Sequence, residues 1–377
     1  MTSLCFCWRR CLWLLGWLLV GPGLHAQDPI LSQYYTNRMY LNPAMTGFEP
    51  GATVSLNHRN QWFRIAGNQA QFTTNSVTAD IGAPCLQSAI GLYYLDNTEG
   101  EGFLKWQHAG ASYAWHSKAG NPRSRQDFQL SLGLKATYNW RSLDWSRLRF
   151  SDQLDAIYGV VGPTALPIPA DQRTATSYAD FGAGGAFHWR HRTDNRLTVG
   201  AAFHHLVRID NSLAFLDDTL PVRTTVHATY VHSQDFGGGY YYLVPMFKLD
   251  LQKAAVGNFF GSGFTYRSIM YGMAFSFREN PGLWGGVWLH TRDGIPNRDD
   301  INSLILAIGT EVGDGHRGDF RSATNLYRIG ISYDYNLSGI RSDGGGVVEV
   351  SLTMTFGNAR LLSCQPRLRG SFPCPKF

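Results

Sequence analysis

The chain has 377 residues and a net charge of +5, with 44% apolar, 14% aromatic and 16% charged residues and 41 glycines against 16 prolines. Globular domains carry about a quarter charged residues, so this chain is poor in charge, and its aromatic content excludes disorder. After the N-terminal segment there is no apolar run of the roughly 18 residues that a bilayer helix needs, and Arg and Lys never cluster with aromatics as a nucleic-acid groove requires, so a helical membrane protein and a nucleic-acid binder are both excluded.

What remains is a large all-β chain, either one closed barrel or two sandwiches. At the start, Arg9 and Arg10 precede an apolar segment from Cys11 to Val20, then Gly21-Pro22-Gly23 and Leu24-His25-Ala26. A basic region, a short apolar region and a small residue at the cut describe a secretory signal peptide over residues 1–26, cleaved after Ala26. The other reading is a signal anchor, for which the apolar run is short. Cys5, Cys7 and Cys11 leave with this peptide, and Cys85, Cys364 and Cys374 remain. An odd number leaves at least one thiol unpaired; Cys364 and Cys374 have a spacing that permits a loop in the tail but does not establish one.

Residues 27–50 show no regular period, and Asn42-Pro43 and Thr46-Gly47 are turn signals, so this stretch is expected to dock on the periplasmic side or plug the barrel. Strands follow over residues 52–60, 69–81, 87–95 and 103–116, with Asp96-Asn97-Thr98-Glu99-Gly100 as one break. The clearest has Phe128, Leu130, Leu132, Leu134, Ala136, Tyr138 and Trp140 on one face and Gln129, Ser131, Lys135 and Asn139 on the other. Lys135 would be costly in lipid but is comfortable in a wet lumen. The irregular segment Arg141 to Ser177 reads as a long outer loop. Further strands are expected over residues 178–189, 197–206, 222–232, 240–249, 257–266, 269–277, 283–290 and 301–311.

The last two strands are the most regular. Tyr327, Ile329, Ile331, Tyr333 and Tyr335 alternate with Arg328, Gly330, Ser332 and Asp334, and Val348 to Phe356 repeats the pattern around Glu349, Ser351, Thr353 and Thr355. A period of two gives each strand one apolar and one polar face. Tyr327 and Tyr335 lie about 26 Å apart along a strand, roughly 20 Å after tilt, which suits the apolar band between two aromatic girdles. Fifteen candidate strands result, and bacterial barrels use even numbers. The break at Arg267-Ser268 is therefore expected to lie within one long strand. The expected fold is an all-β, transmembrane, antiparallel outer-membrane barrel of about 14 strands (14 to 16), a wall over residues 51–357 and a periplasmic tail over 358–377.

Catalytic and metal chemistry find little support. His204 and His205 are adjacent, and strand neighbours point to opposite faces, so they do not share a metal without a bulge. Asp217-Asp218 and Asp299-Asp300 lack the spacing of a calcium loop, and G-x-S-x-G and GxxxxGK[ST] motifs are absent. No enzyme activity, cofactor or metal is expected. A lumen hydrolase using His204 or His205 is a distant third reading, since triads are defined by geometry rather than by sequence.

Several motifs occur in order along the chain: Ser32-Gln33-Tyr34, Leu41-Asn42-Pro43-Ala44-Met45-Thr46-Gly47, Asn57-His58-Arg59-Asn60-Gln61-Trp62, Phe150-Ser151-Asp152-Gln153-Leu154-Asp155, Ile331-Ser332-Tyr333-Asp334-Tyr335-Asn336, Gly345 to Leu352 around Glu349, and Cys374-Pro375-Lys376-Phe377. In these motifs the chain resembles the PorP/SprF family of type IX secretion outer-membrane proteins, with Met45, Thr46 and Lys376 as mild departures from the family's usual residues. The resemblance implies a non-catalytic outer-membrane barrel of Bacteroidota serving secretion and gliding. Its implied partners are a periplasmic OmpA-like peptidoglycan-binding protein, exported cargo with a C-terminal sorting domain, and outer-membrane lipid. It marks Gln33, Asn42, Pro43, Gly47, Arg59, Trp62, Asp152, Gln153, Asp155, Tyr333, Asp334 and Glu349 as motif residues and possible partner contacts. Read structurally, Asn42-Pro43 fixes a turn, Arg59 and Trp62 pack at the start of the wall, and Asp334 points inside, where Arg328 or Arg59 is a possible partner. A passive channel is the alternative function.

Overall fold

The computed structural model describes residues 28–49, 51–64, 71–83, 86–117, 126–167, 173–191, 195–207, 209–210, 219–236, 239–253, 264–277, 281–292, 301–314, 325–337 and 344–357. The signal-peptide stretch, Cys85, the Asp217-Asp218 and Asp299-Asp300 pairs, and the tail with Cys364 and Cys374 lie outside the described residues.

Among the described residues, fourteen strands close into one antiparallel barrel. They are β1 (Ala52–Gln61), β2 (Gln71–Ala83), β3 (Ser88–Gly100), β4 (Leu104–His116), β5 (Gln126–Asp144), β6 (Arg173–His191), β7 (Asn195–His204), β8 (Arg223–Phe236), β9 (Gly239–Lys253), β10 (Phe264–Phe277), β11 (Gly282–Arg292), β12 (Ile301–Gly313), β13 (Asn325–Asn336) and β14 (Val347–Phe356). Each strand pairs with its sequence neighbours, and β1 pairs with β14 from Ala52↔Phe356 to Gln61↔Val347, so no strand edge is left open. Closure satisfies the backbone groups within the wall, as hydrocarbon demands.

The alternation sorts the side chains as expected. Leu134 on β5 is 62% exposed while its neighbour Lys135 is 6% exposed. On β13, Tyr327, Ile329, Ile331, Tyr333 and Tyr335 face outward, and Arg328, Ser332 and Asp334 are buried inside. An apolar belt this extensive does not persist in water, and each large side chain withdrawn from it contributes about 1.5–3 kcal/mol.

The strand break at Arg267-Ser268 is absent: β10 runs through it, with Arg267 paired to Leu251 and Ser268 to Asp250. Alternation continues there, Arg267 outward and Ser268 buried. Residues 257–263 of the separate strand expected there lie outside the described residues.

Two boundaries need correction. Asp96 to Gly100 is strand rather than a break, because Thr74 on β2 faces Asn97 and donates its hydroxyl to Asn97 Oδ1 at 2.7 Å. The long irregular segment is shorter than its composition suggests: β5 continues to Asp144 and β6 begins at Arg173, joined as Asp144↔Arg173. Both extensions are mostly polar because the wall there has left the lipid band, so hydropathy no longer reports the strand.

The connections set the orientation. Those at one end, such as His191 to Asn195 and Phe236 to Gly239, are short; those at the other include Asp144 to Arg173 and His204 to Arg223. Short periplasmic turns and long outer loops make the second end the outer one, and β1 begins and β14 ends at the periplasmic end.

Candidate functional site: a segment bound inside the barrel

Residues 28–49 lie inside the wall and carry a four-residue helix α1 (Arg38–Leu41) and a 3-10 turn over Pro43–Met45. Too short to hold themselves, these turns are fixed by contacts to the barrel.

The first contact gathers four motif residues. Glu349, fully buried, accepts from the backbone N–H groups of Ser32 at 2.7 Å and Gln33 at 3.1 Å. The Gln33 amide donates to the Glu349 carbonyl at 2.9 Å and accepts from Ser351 Oγ at 2.6 Å. Arg59 reaches Asp334 Oδ2 at 3.3 Å and Glu349 Oε2 at 3.4 Å and also donates to Ser32 Oγ, which donates to Asp334 at 2.5 Å. Of the two arginines expected as possible partners of Asp334, Arg59 is the one that reaches it, and Arg328 pairs with Glu311 at 3.0 Å. A buried carboxylate pair facing one guanidinium is costly unless further donors reach it, and here the segment supplies the Ser32 and Gln33 N–H groups to Glu349 and the Ser32 hydroxyl to Asp334.

Lower down, Asn42 Oδ1 caps the 3-10 turn by accepting from Ala44 N at 2.9 Å. Its amide nitrogen lies 3.1 Å from Gly185 O, 3.3 Å from Ala201 O and 3.1 Å from His227 Nε2. A Cβ on Gly184 would collide with the Asn42 side chain, and one on Gly133 with the backbone of Pro43 and Ala44, so glycines in the wall form the seat for this turn. Gly47, at φ +59, donates to Asp80 Oδ2 at 2.5 Å.

On the opposite wall Tyr35 stacks on Trp288 at 5.6 Å and meets Trp284 edge-on at 6.1 Å, within a buried cluster that includes Tyr34, Leu41, Val244, Met246, Met270 and Ile305. A cavity of about 50 Å³ lies between Tyr34, Tyr35, Leu41, His227, Met246 and Arg328. That is room for a few waters, not for a polypeptide.

A fourth contact was missed at the sequence level. His205 Nε2 lies 2.8 Å from Asp28 Oδ2 and its Nδ1 2.9 Å from Asp180 Oδ2, while Arg223 reaches Asp28 at 2.7 Å. Burial alone would lower the His205 pKa, but the Asp28 and Asp180 carboxylates outweigh it and hold it above the usual histidine value. Burial would raise that of Asp28, yet Arg223 and His205 keep it well below the carboxylate range. His204 and His205 are both buried because the strand ends at His204 and His205 turns inward at φ +59, a conformation that the dipeptide does not announce.

The remaining motif residues lie elsewhere. Trp62 stands at the outer end of β1, its backbone N–H donating to Gly346 O at 2.8 Å and its ring edge-on to Phe72. Tyr333 faces lipid, its hydroxyl donating to Gly345 O at 3.3 Å. Asp152, Gln153 and Asp155 frame the outer loop. Asp152 accepts from Ala165 N and Thr164 Oγ1 at 2.7 Å, Asp155 from Tyr158 N at 2.9 Å and Ile157 N at 2.8 Å, and Gln153 from Phe150 N at 2.9 Å. These bonds hold the carboxyls of Asp152 and Asp155 below the usual range.

Ser32 is held by Arg59 and Asp334 rather than by a histidine base, and both His205 nitrogens are taken by carboxylates. Among the described residues no three His, Cys, Asp or Glu side chains are grouped to hold a metal.

A closed wall with an apolar exterior and a polar lumen occupied by the chain's own N-terminal residues defines an outer-membrane barrel. Solved structures with similar folds include the toluene transporter TbuX of Ralstonia pickettii, with 10% identity, 85% of this chain and 94% of that one covered, and a TM-score of 0.45. A FadL homologue of Pseudomonas aeruginosa shares 12% identity over 85% of this chain and 94% of that one, with a TM-score of 0.41. A comparison with curated proteins found no match. The profile of the type IX secretion system membrane protein PorP/SprF matches residues 24–354, and the chain belongs to that family. It is thus a membrane component of type IX secretion.

Proposed function

We propose that the chain is a non-catalytic component of the type IX secretion and gliding machinery that supports export or surface anchoring of cargo bearing a C-terminal sorting domain. In this reading residues 1–26 are removed on export, 27–50 form a resident plug, 51–357 the wall, and 358–377 a periplasmic tail. The plug makes the barrel a holder rather than a passage. Its outer loops meet cargo, and its periplasmic end meets an OmpA-like peptidoglycan-binding partner. One observation carries the reading: residues 28–49 contact the wall on opposite sides, Glu349 and Arg59 on one and His227, Gly185 and Trp288 on the others. That supports a binding component over the passive channel. Affinity purification from native outer membrane tests it. Recovery of a protein with a C-terminal sorting domain is expected; recovery of lipid and lipopolysaccharide alone would overturn the reading.

A further inference from the structure

Around Asp28 and Tyr40 of the inner segment, the lumen holds more cations than its carboxylates balance. Lys135 on β5 and Arg223 on β8 are buried there and share the Tyr40 ring, Lys135 Nζ at 5.9 Å and Arg223 Cζ at 5.0 Å from its centroid. His205 is a third cation by hydrogen-bond logic alone. Each of its ring nitrogens faces a carboxylate oxygen, which only accepts, so both carry protons and the ring is an imidazolium. Lys248 on β9 is a fourth, paired with Asp250 at 2.8 Å. Among the described residues the carboxylates these cations meet are Asp28, Asp180 and Asp250, so four positive charges face three negative ones.

The excess sits on Lys135. Arg223, His205 and Lys248 each have a carboxylate at hydrogen-bond distance, whereas Lys135 is in no ion pair with a described residue. Beyond Tyr40 its ammonium meets the face of Tyr93, also at 5.9 Å, close to the outer limit of a cation–π contact. Its stem lies across Gly182, where a Cβ would collide with Lys135 Cε and crowd Phe203 O, so the glycine lets the side chain run over β6 toward β7. Two buried histidines stand near it with nitrogens that bond nothing: both ring nitrogens of His204, at the end of β7, and Nε2 of His108 on β4. A buried ammonium without a counter-charge is costly, and so is a buried N–H without an acceptor.

We propose that Lys135 holds a small monovalent inorganic anion, of the size of chloride, between its ammonium and the N–H groups of His204 and His108. One negative charge balances the excess, and the three side chains offer it donors, the chemistry that an inorganic anion needs in place of its hydration shell. Burial of all three excludes a bulky organic acid. Tyr40 lies over Lys135, and Asp28 joins Arg223 and His205 beside it, so the anion is enclosed only when residues 28–49 are seated, and it fastens them to the wall. The inference rests on the charges of the lumen and holds whether or not the barrel binds cargo.

The test is anomalous diffraction from the full chain, folded and crystallised from detergent with bromide in place of chloride. A bromide peak within hydrogen-bonding distance of Lys135 Nζ, with His204 or His108 beside it, is expected. Bromide at exposed side chains only would overturn the proposal. So would a water without anomalous signal that joins Lys135 to Oδ1 of Asp28 or of Asp180, both of which are unbonded. The fastening is read separately, from thermal unfolding on unboiled gels of chain refolded either in chloride or in gluconate at equal ionic strength, so that screening is the same. A ligand bound to the folded state alone raises the transition, so the parent should unfold several degrees higher in chloride, and Lys135→Met should lose that difference. No difference in the parent, or an undiminished one in Lys135→Met, would show that no anion fastens the segment. Should Lys135→Met fail to assemble, the bromide map of the parent decides alone.

Discussion

Arg59 on β1 and Glu349 on β14 are direct register partners across the seam that closes the barrel, and their side chains meet at 3.4 Å inside the lumen. The same carboxylate receives the N–H groups of Ser32 and Gln33, so one contact clamps the seam and anchors the inner segment. Arg59→Ala leaves Glu349 and Asp334 buried without a cation. Breaking a buried pair in this way costs about 3–5 kcal/mol. Thermal unfolding followed on unboiled gels should show a marked fall in the transition. Glu349→Gln keeps the shape and costs less, about 1–3 kcal/mol, because the amide nitrogen faces donors it cannot satisfy.

The glycine seat predicts a steric effect with no change of charge. Gly133→Val places its branch against the backbone of Pro43 and Ala44, which has no flexible end to yield. Overpacking of this kind costs about 1–3 kcal/mol. Limited proteolysis of the detergent-solubilised protein should cut within residues 28–49 in the variant and not in the parent. Equal resistance in both would show that the turn is not seated there.

The Asp28–His205–Asp180 contact predicts a pH dependence of the segment's outer end. His205 has a raised pKa in the folded chain, so its contribution is complete below the ordinary value of 6.5 and is lost as pH rises through the higher folded value. Asp28 has a lowered pKa, so its contribution is present above the ordinary 3.8 and is lost as pH falls through the folded value. The fastening is therefore firmest between these ranges and loosens toward alkaline pH. Hydrogen exchange over residues 30–33, corrected for the intrinsic rate, should quicken above neutral pH in the parent. His205→Ala should show the quicker exchange already at pH 6.

The outer loop is framed by side chains rather than by burial. Asp152→Ala removes the acceptor of Thr164 Oγ1 and Ala165 N, so protease sensitivity of residues 150–166 should rise on intact cells. Barrel unfolding should be unchanged. A concerted loss of both would mean that the loop supports the wall.

Much of this architecture was legible because a lipid-facing wall imposes a period of two. Phe128 to Trp140 and Tyr327 to Tyr335 follow it, and the structure places each row outside. The rule failed where the strands leave the membrane: Asp96 to Gly100 has no apolar residue and Arg141 to Asp144 only Leu143, and their pairing depends on partners distant in sequence. The site was visible in pieces. Gln33, Arg59, Asp334 and Glu349 stood out as motif residues, but that they form one network is a property of closure, which brings β1 beside β14. Trp284 and Trp288 drew no notice because inward-facing tryptophans break the expected polar lumen. Asp28 and His205 are far apart in sequence, and the left-handed turn at His205 leaves no local signature.

The central claim is that this barrel is closed by its own residues 28–49, and ion conductance of the purified full-length chain in planar bilayers tests it most directly. The account predicts no stable, solute-permeable conductance in the parent and large openings when residues 28–49 are deleted. Steady porin-like conductance in the full-length chain, unchanged by that deletion, would contradict it.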